Sequence, residues 1–395
     1  MSRNLASALL LIAVLAIFLP PGYGAYIGAY AALVAAILAF LAFGWRERLT
    51  FSHPTALAIL AAIGLVGLAV PFVYRSPQDL LAPVLLLPML STIGLGLLAR
   101  PARWVPSPSL FAAICLAGSF IAFLGGAYEY FWLDLYRPGL GNNPIHYASL
   151  AAMTGCLAMV GVVSGTTARR YLFLLGPVFG FGCTVIADSR GPMLGAVAMS
   201  GLGILTLTVW LWHERLFRVA VLACAGLAIG VFAYVVGSGN DRVSGIIQSG
   251  LNIFRFTGGS DDIRAALYAS AIEILRNSPL FGVGLGQILD TAETLFPALV
   301  GGTEFDNLHA DWANFAAMAG VLGLLAWLLL LAAPLLLLRD PQTRQDRPIV
   351  LGAALLSTGQ LVLGVSNATF GILPQTVIYA VALGYFLVCA RRPDI

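Results

Sequence analysis

Residues 311–338 read DWANFAAMAGVLGLLAWLLLLAAPLLLL, and the only charged side chain among them, Asp311, stands at the very start. The hydrocarbon core of a bilayer is roughly 30 Å thick, so a helix crosses it with about 20 mostly apolar residues. This stretch is long enough, and similar blocks recur along the whole chain. Reading outward from it, the predicted spans are 5–20, 25–44, 54–74, 79–99, 109–128, 145–164, 171–187, 192–212, 219–237, 311–338, 349–367 and 373–390.

The composition points the same way. Of 395 residues, 59% are hydrophobic and 10% charged, and the mean hydropathy is +0.91. A soluble domain carries about 25% charged residues and could not hide this much apolar surface. The expected fold is an all-α integral membrane protein, one polytopic domain over 1–395 with about twelve transmembrane helices. The first block has no A-x-A cleavage site after its apolar run and continues into Pro20-Pro21 and another span, so it reads as a retained helix and not a signal peptide. An even number of spans puts both termini on one side.

Arginine sets the orientation. The chain has no lysine; its 21 basic residues are all arginine. Fourteen fall on one face, at positions 3, 46, 48, 100, 103, 169, 170, 215, 218, 339, 344, 347, 391 and 392, with five acids; the other face has seven arginines and 13 acids. The positive-inside rule makes the first face cytoplasmic. Both termini are then expected in the cytoplasm, in a bacterial inner membrane, with the remaining loops periplasmic. The formal net charge of +3 conceals two faces of opposite sign and does not suggest nucleic acid.

The five cysteines all fall inside predicted spans and form no C-x-x-C or Cys/His metal spacing, so they read as small packing residues. Charged groups are nearly absent from the middles of the spans. That argues against an ion-coupled transporter, which places ionisable residues near the midplane of repeated halves. The polarity lies in the outer loops.

One of these, 238–310 between the ninth and tenth spans, is much longer than the rest, and loops of that length usually have a role. Asp261-Asp262 can cap a helix running to about Arg276, with Asn277-Ser278-Pro279 ending it. The following Phe281-Gly282-Val283-Gly284-Leu285-Gly286 is too glycine-rich for a good helix and follows no strand, so it reads as a tight turn near a ligand or the membrane. Three smaller outer sites are Tyr136–Pro144, Asp188-Ser189-Arg190-Gly191-Pro192, and Asn307-Leu308-His309-Ala310-Asp311-Trp312.

Arg190, in a very short loop beside a glycine, would sit at membrane depth. There a guanidinium either binds phosphate through paired donors or snorkels to lipid headgroups. Arg264, one turn into the loop helix, either adds a second cation for a pyrophosphate or pairs with Asp261. His309, between Asp306 and Asp311, suits a general base oriented by a carboxylate, although a lone histidine is usually structural. His146 follows Pro144 and could line the same cavity, and Arg137 and Asn143 belong to the same outer loop. His53 and His213 flank spans on the cytoplasmic side and read as structural. No H-x-x-x-H, H-E-x-x-H or outer-loop D-x-D appears, so no metal or other cofactor is expected.

Four features in this order resemble the O-antigen ligase and O-antigen polymerase superfamily of bacterial membrane glycosyltransferases. They are the Asn143-Pro144 turn, the Ser189-Arg190-Gly191 turn, Arg264 followed by Asn277-Ser278-Pro279-Leu280-Phe281-Gly282-Val283-Gly284, and His309 leading into a helix with Gly320 and Gly323. The resemblance covers roughly 130–335. It implies a C-type, inverting, metal-independent glycosyltransferase with undecaprenyl-pyrophosphate-linked glycan as donor, lipid A-core as acceptor and membrane lipids around it. It also implies Arg190 and Arg264 as the periplasmic arginines and His309 as the periplasmic histidine. With Arg137, Asn143, His146, Asp306 and Asp311, these make up the expected site. Members often carry an asparagine after the histidine; here Ala310 stands there, which leaves the partner of His309 open. An O-antigen polymerase and a protein O-oligosaccharyltransferase are the alternatives within the superfamily, and a lipid-linked glycan transporter is the alternative outside it.

Overall fold

The structure is a computed structural model and describes residues 3–18, 22–45, 48–237, 260–300 and 305–392, all of whose regular elements are helical. In chain order the main helices are α1 (Arg3–Leu15), α2 (Tyr23–Phe43), α3 (Pro54–Val73), α4 (Pro77–Gly96), α5 (Pro108–Phe131), α6 (Pro144–Val163), α7 (Leu175–Ile186), α8 (Arg190–Leu211) and α9 (Arg215–Gly237). After these come α10 (Ser260–Asn277), α11 (Ile288–Leu295), α12 (Asp311–Ala332), α13 (Arg347–Ser366) and α14 (Leu373–Ala390). Nine of them (α2–α6, α8, α12, α13 and α14) are long and apolar enough to cross a membrane. The predicted spans 5–20, 171–187 and 219–237 are not among these nine. They fall on the 13-residue α1, on the 12-residue α7 preceded by a 3-10 turn over Ala168–Leu174, and on the 23-residue α9.

Local chemistry marks where several helices begin. The Ser107 hydroxyl accepts from the amide of Leu110 at 3.3 Å, the Asn143 side chain from Ile145 at 2.9 Å and Asp346 from Ile349 at 3.1 Å, each with a proline in the first turn. A side-chain acceptor satisfies an otherwise unpaired amide, and proline there loses no hydrogen bond. Proline also breaks regularity further in. α4 holds Pro83 and Pro88 and alternates between 3-10 and α turns. The centre of the bundle is occupied by α6 and α14, whose apolar windows are 89% and 83% buried against 33% for α3 and α8. α6 packs among α5, α7, α8 and α13.

The stretch 311–338 is not one continuous helix. Ala319 (φ −146°) and Gly320 (φ +61°) leave helical geometry, and α12 ends at Ala332, two residues before Pro334. At the break a regular helix would join the Val321 amide to the Ala317 carbonyl. Instead the Ala317 carbonyl accepts from Val283 and the Val321 amide donates to the Pro279 carbonyl, both at 2.8 Å. The glycine-rich turn is spliced into the opened bond. Gly282 (φ +69°) and Gly320 both adopt left-handed backbone, and a Cβ on either would overlap backbone across the junction. The turn's ligand is therefore the backbone of another helix. The sequence expectation for 261–276 corresponds to α10, which packs against α12. Past the turn, the Asp79 carboxylate at the start of α4 accepts from the amides of Arg75, Ser76 and Gly286 at 2.8–2.9 Å, tying the loop to the bundle. The expected large loop at 238–310 is described only over 260–300 and 305–310, with α11 and a short turn over Pro297–Val300 as its further helices.

Candidate active site

The chain reverses between α7 and α8 through Asp188, whose φ of +47° lies in the left-handed region that few non-glycine residues adopt. Ser189 is extended and Arg190 opens α8. The Gly191 Cα faces Ser366 at the end of α13 so closely that a Cβ would overlap its hydroxyl. The glycine expected to allow close approach thus admits another helix. Arg137 comes from the loop before α6. Its guanidinium donates to the Ala187 carbonyl at 3.2 Å and the Ser189 hydroxyl at 3.3 Å, so it holds the end of α7 beside the start of α8.

Arg137, Arg190 and Arg264 line one cavity of about 220 Å³, together with Tyr136, Asp188, Ser189 and Ser366. Three guanidinium groups face one carboxylate there. The start of a 22-residue helix adds outward-pointing amides and the positive end of its dipole. This arrangement suits a multiply charged anion such as a phosphate ester.

His309 sits where the chain returns to the bundle. It is half-buried with φ +56°. Its amide donates to the Asn307 side chain at 2.7 Å, its carbonyl accepts from the Tyr268 hydroxyl at 3.3 Å, and its ring lies edge-on to Phe305 with centroids 5.5 Å apart. Asn314 reinforces the turn by accepting from the Leu308 amide at 2.8 Å. Non-glycine residues held at positive φ cost energy and persist where the surroundings over-determine them. Burial and the Arg264 guanidinium hold the imidazole below the usual histidine pKa, while Asp306 pulls it the other way. A ring with that balance is neutral, and able to accept a proton, at ordinary pH. His146, also half-buried, lies within electrostatic range of both Asp306 and His309.

Asp311 requires a correction. It was expected to contact substrate or orient His309, but it is completely buried. Its Oδ1 accepts from the amides of Thr369 at 2.7 Å and Phe370 at 3.0 Å, and its other oxygen bonds the Thr369 hydroxyl. A carboxylate so occupied serves as a clasp between α12 and the loop joining α13 to α14. The acid left beside His309 is Asp306, which is exposed. Asn143 is engaged as the cap of α6. Whether Arg264 pairs with Asp261 lies outside the described side chains.

Sequence reading missed Ser366, Tyr268 and Asn314, and it named Asn307 only as part of an outer site. Among the three missed, only Ser366, in the polar pair Ser366-Asn367 ending an apolar helix, gave a signal. Among the described residues, no three of His, Cys, Asp and Glu are placed so that they could hold a metal ion.

Residues 175–328 match the family model described as O-Antigen ligase, a stretch that includes Arg190, Arg264 and His309 but not Arg137 or His146. No curated protein matches the chain. Over that stretch, which is less than half of the chain, the protein is similar to the O-antigen ligase family, and the match supports membership of it.

Proposed function

We propose that this protein is an inner-membrane O-antigen ligase that moves a glycan from undecaprenyl pyrophosphate to lipid A-core at the periplasmic face. The family is one of glycosyltransferase-like ligases and polymerases. The observation carrying the reading is the meeting of Arg137, Arg190 and Arg264, from three separate parts of the chain, around one cavity near His309. The distribution of arginine supports cytoplasmic termini and a periplasmic site.

In this reading Arg190 and Arg264 hold the donor pyrophosphate with the amides at the start of α8, and Arg137 shapes the wall between them. An acceptor hydroxyl attacks C1 of the donor sugar from the face opposite the lipid. The new C1–O bond forms as the old one breaks, and its electron pair leaves on the pyrophosphate oxygen, where fixed guanidinium charge stabilises it. The hydroxyl proton passes to His309, and Asp306 stabilises the resulting imidazolium. The anomeric centre inverts.

The test is complementation of a strain lacking its O-antigen ligase, with matched donor and core, read as lipopolysaccharide laddering. Wild type should restore the ladder, and equally expressed Arg190→Ala, Arg264→Ala and His309→Ala should not. A chain that restores no ladder but extends lipid-linked glycan would be a polymerase. Full laddering by His309→Ala would remove the general base from the scheme.

A further inference from the structure

A second cavity, of about 470 Å³, shares no lining residue with the arginine cavity. The two are nevertheless neighbours along two strips of chain. Asp306 and Asn307 line the second cavity, and Asn307 is the residue that binds the backbone of His309. Ala368 and Phe370 also line it, directly beyond Ser366 of the arginine cavity. His309 lines neither cavity; its backbone is bound by Asn307 of the second, and its ring lies within electrostatic range of Arg264 of the first.

Their chemistry is opposite. No arginine, lysine or histidine lines the second cavity; its polar side chains are Gln78, Asp290, Asp306, Asn307 and Asn314. The side-chain oxygens of Asn307 and Asn314 are engaged by backbone amides, which leaves their NH₂ groups as the donors. Carboxylates, amides and their donors are the groups that bind sugar hydroxyls, and two aspartates without a cation repel phosphate. The rest of the lining is apolar, including Leu81, Leu85 and Phe315 from the two candidate membrane spans α4 and α12. A space with a polar, acidic rim and an apolar wall within the bundle fits a molecule built the same way.

We propose that this cavity is the acceptor site, and that it takes a glycolipid whose reacting end is an uncharged sugar, with its alkyl part along the wall of α4 and α12. The proposal rests on reading the arginine cavity as the donor pyrophosphate site. Charge then sorts the two substrates: the cationic cavity takes the phosphorylated molecule, and the acidic one admits the uncharged hydroxyl that His309 deprotonates. A phosphate on the terminal sugar of the acceptor would exclude it.

The test measures binding to the whole protein in lipid nanodiscs with three probes. These are undecaprenyl pyrophosphate, a dialkyl glycolipid with a neutral trisaccharide, and the same glycolipid with a phosphate monoester on its distal sugar. Wild type should bind the neutral glycolipid about tenfold more tightly than its phosphorylated twin. Asp290→Arg should shift that ratio by about tenfold toward the phosphorylated form, with undecaprenyl pyrophosphate binding unchanged. Asp290→Asn, which removes charge without changing bulk, reads the same ratio in case the arginine variant does not assemble. Equal affinity for the two glycolipids, no binding of either, or a ratio that the variants leave in place would overturn the proposal. The donor reading fails separately: it is sunk if Arg190→Ala combined with Arg264→Ala leaves undecaprenyl pyrophosphate binding intact.

Discussion

Replacing Asp311 separates a structural carboxylate from a catalytic one. Its oxygens serve two amides and one hydroxyl, all in the interior. Asp311→Ala strands these three donors, and each buried unsatisfied group costs about 1–3 kcal/mol, so the variant should lose roughly 3–9 kcal/mol of stability. Asp311→Asn is different. Thr369 and Phe370 both bind Oδ1, which the amide oxygen can replace, and the NH₂ can donate to the Thr369 hydroxyl, which also accepts from Gln360. Asparagine should then cost about 1 kcal/mol, a single weakened hydrogen bond. Thermal unfolding of the purified protein in detergent, run beside the laddering assay, checks both. The expected pattern is a large drop in melting temperature and no ladder for alanine, with near-wild-type behaviour for asparagine. If Asp311 instead oriented His309, asparagine would leave a stable protein with transfer lowered by about 10⁴-fold, the loss seen when a triad aspartate is amidated. That result would refute the clasp.

Arg190→Lys and Arg264→Lys keep the charge but lose the paired planar donors, so each should recover only a small part of the transfer lost in the alanine variants, read as initial rates on purified protein. Because the His309 pKa is depressed, transfer should stay flat as pH falls to the usual histidine range and decline only below it, as the base becomes protonated. Arg264→Ala removes a charge that lowers this pKa and should move the acid limb of the residual activity to higher pH; Asp306→Asn should move it lower. Gly282→Ala and Gly320→Ala force a side chain into left-handed backbone and onto the junction, so each should destabilise the protein by more than about 1 kcal/mol in thermal unfolding.

Hydropathy and punctuation made nine of the twelve predicted spans readable, since one apolar block and its flanking proline or cap define a helix without reference to the rest of the chain. The loop helix from Ser260 was legible for the same reason. What could not be read depended on distant partners. Asp311 looks like a neighbour of His309 in sequence, but its hydrogen bonds go to Thr369 and Phe370, on the loop after α13. Nothing local in 311–338 reveals the break at Gly320, because the groups that satisfy it belong to residues 279–283. Arg137, Arg190 and Arg264 could each be nominated alone, but their meeting depends on how α6, α8 and α10 are arranged, which no spacing records.

The break in α12 also has a bearing on biosynthesis. A helix inserted with its Ala317 carbonyl and Val321 amide unsatisfied would expose both to lipid, at a cost of several kcal/mol for each group. The residues that satisfy them, Pro279 and Val283, lie earlier in the chain. During translation they leave the ribosome before α12 does, so the groups that complete the break are already synthesised when the helix that depends on them emerges. Moving 260–284 to a position after α12 would reverse that order and leave the helix to insert before its partners exist, and it would also displace Tyr268, whose hydroxyl donates to the His309 carbonyl.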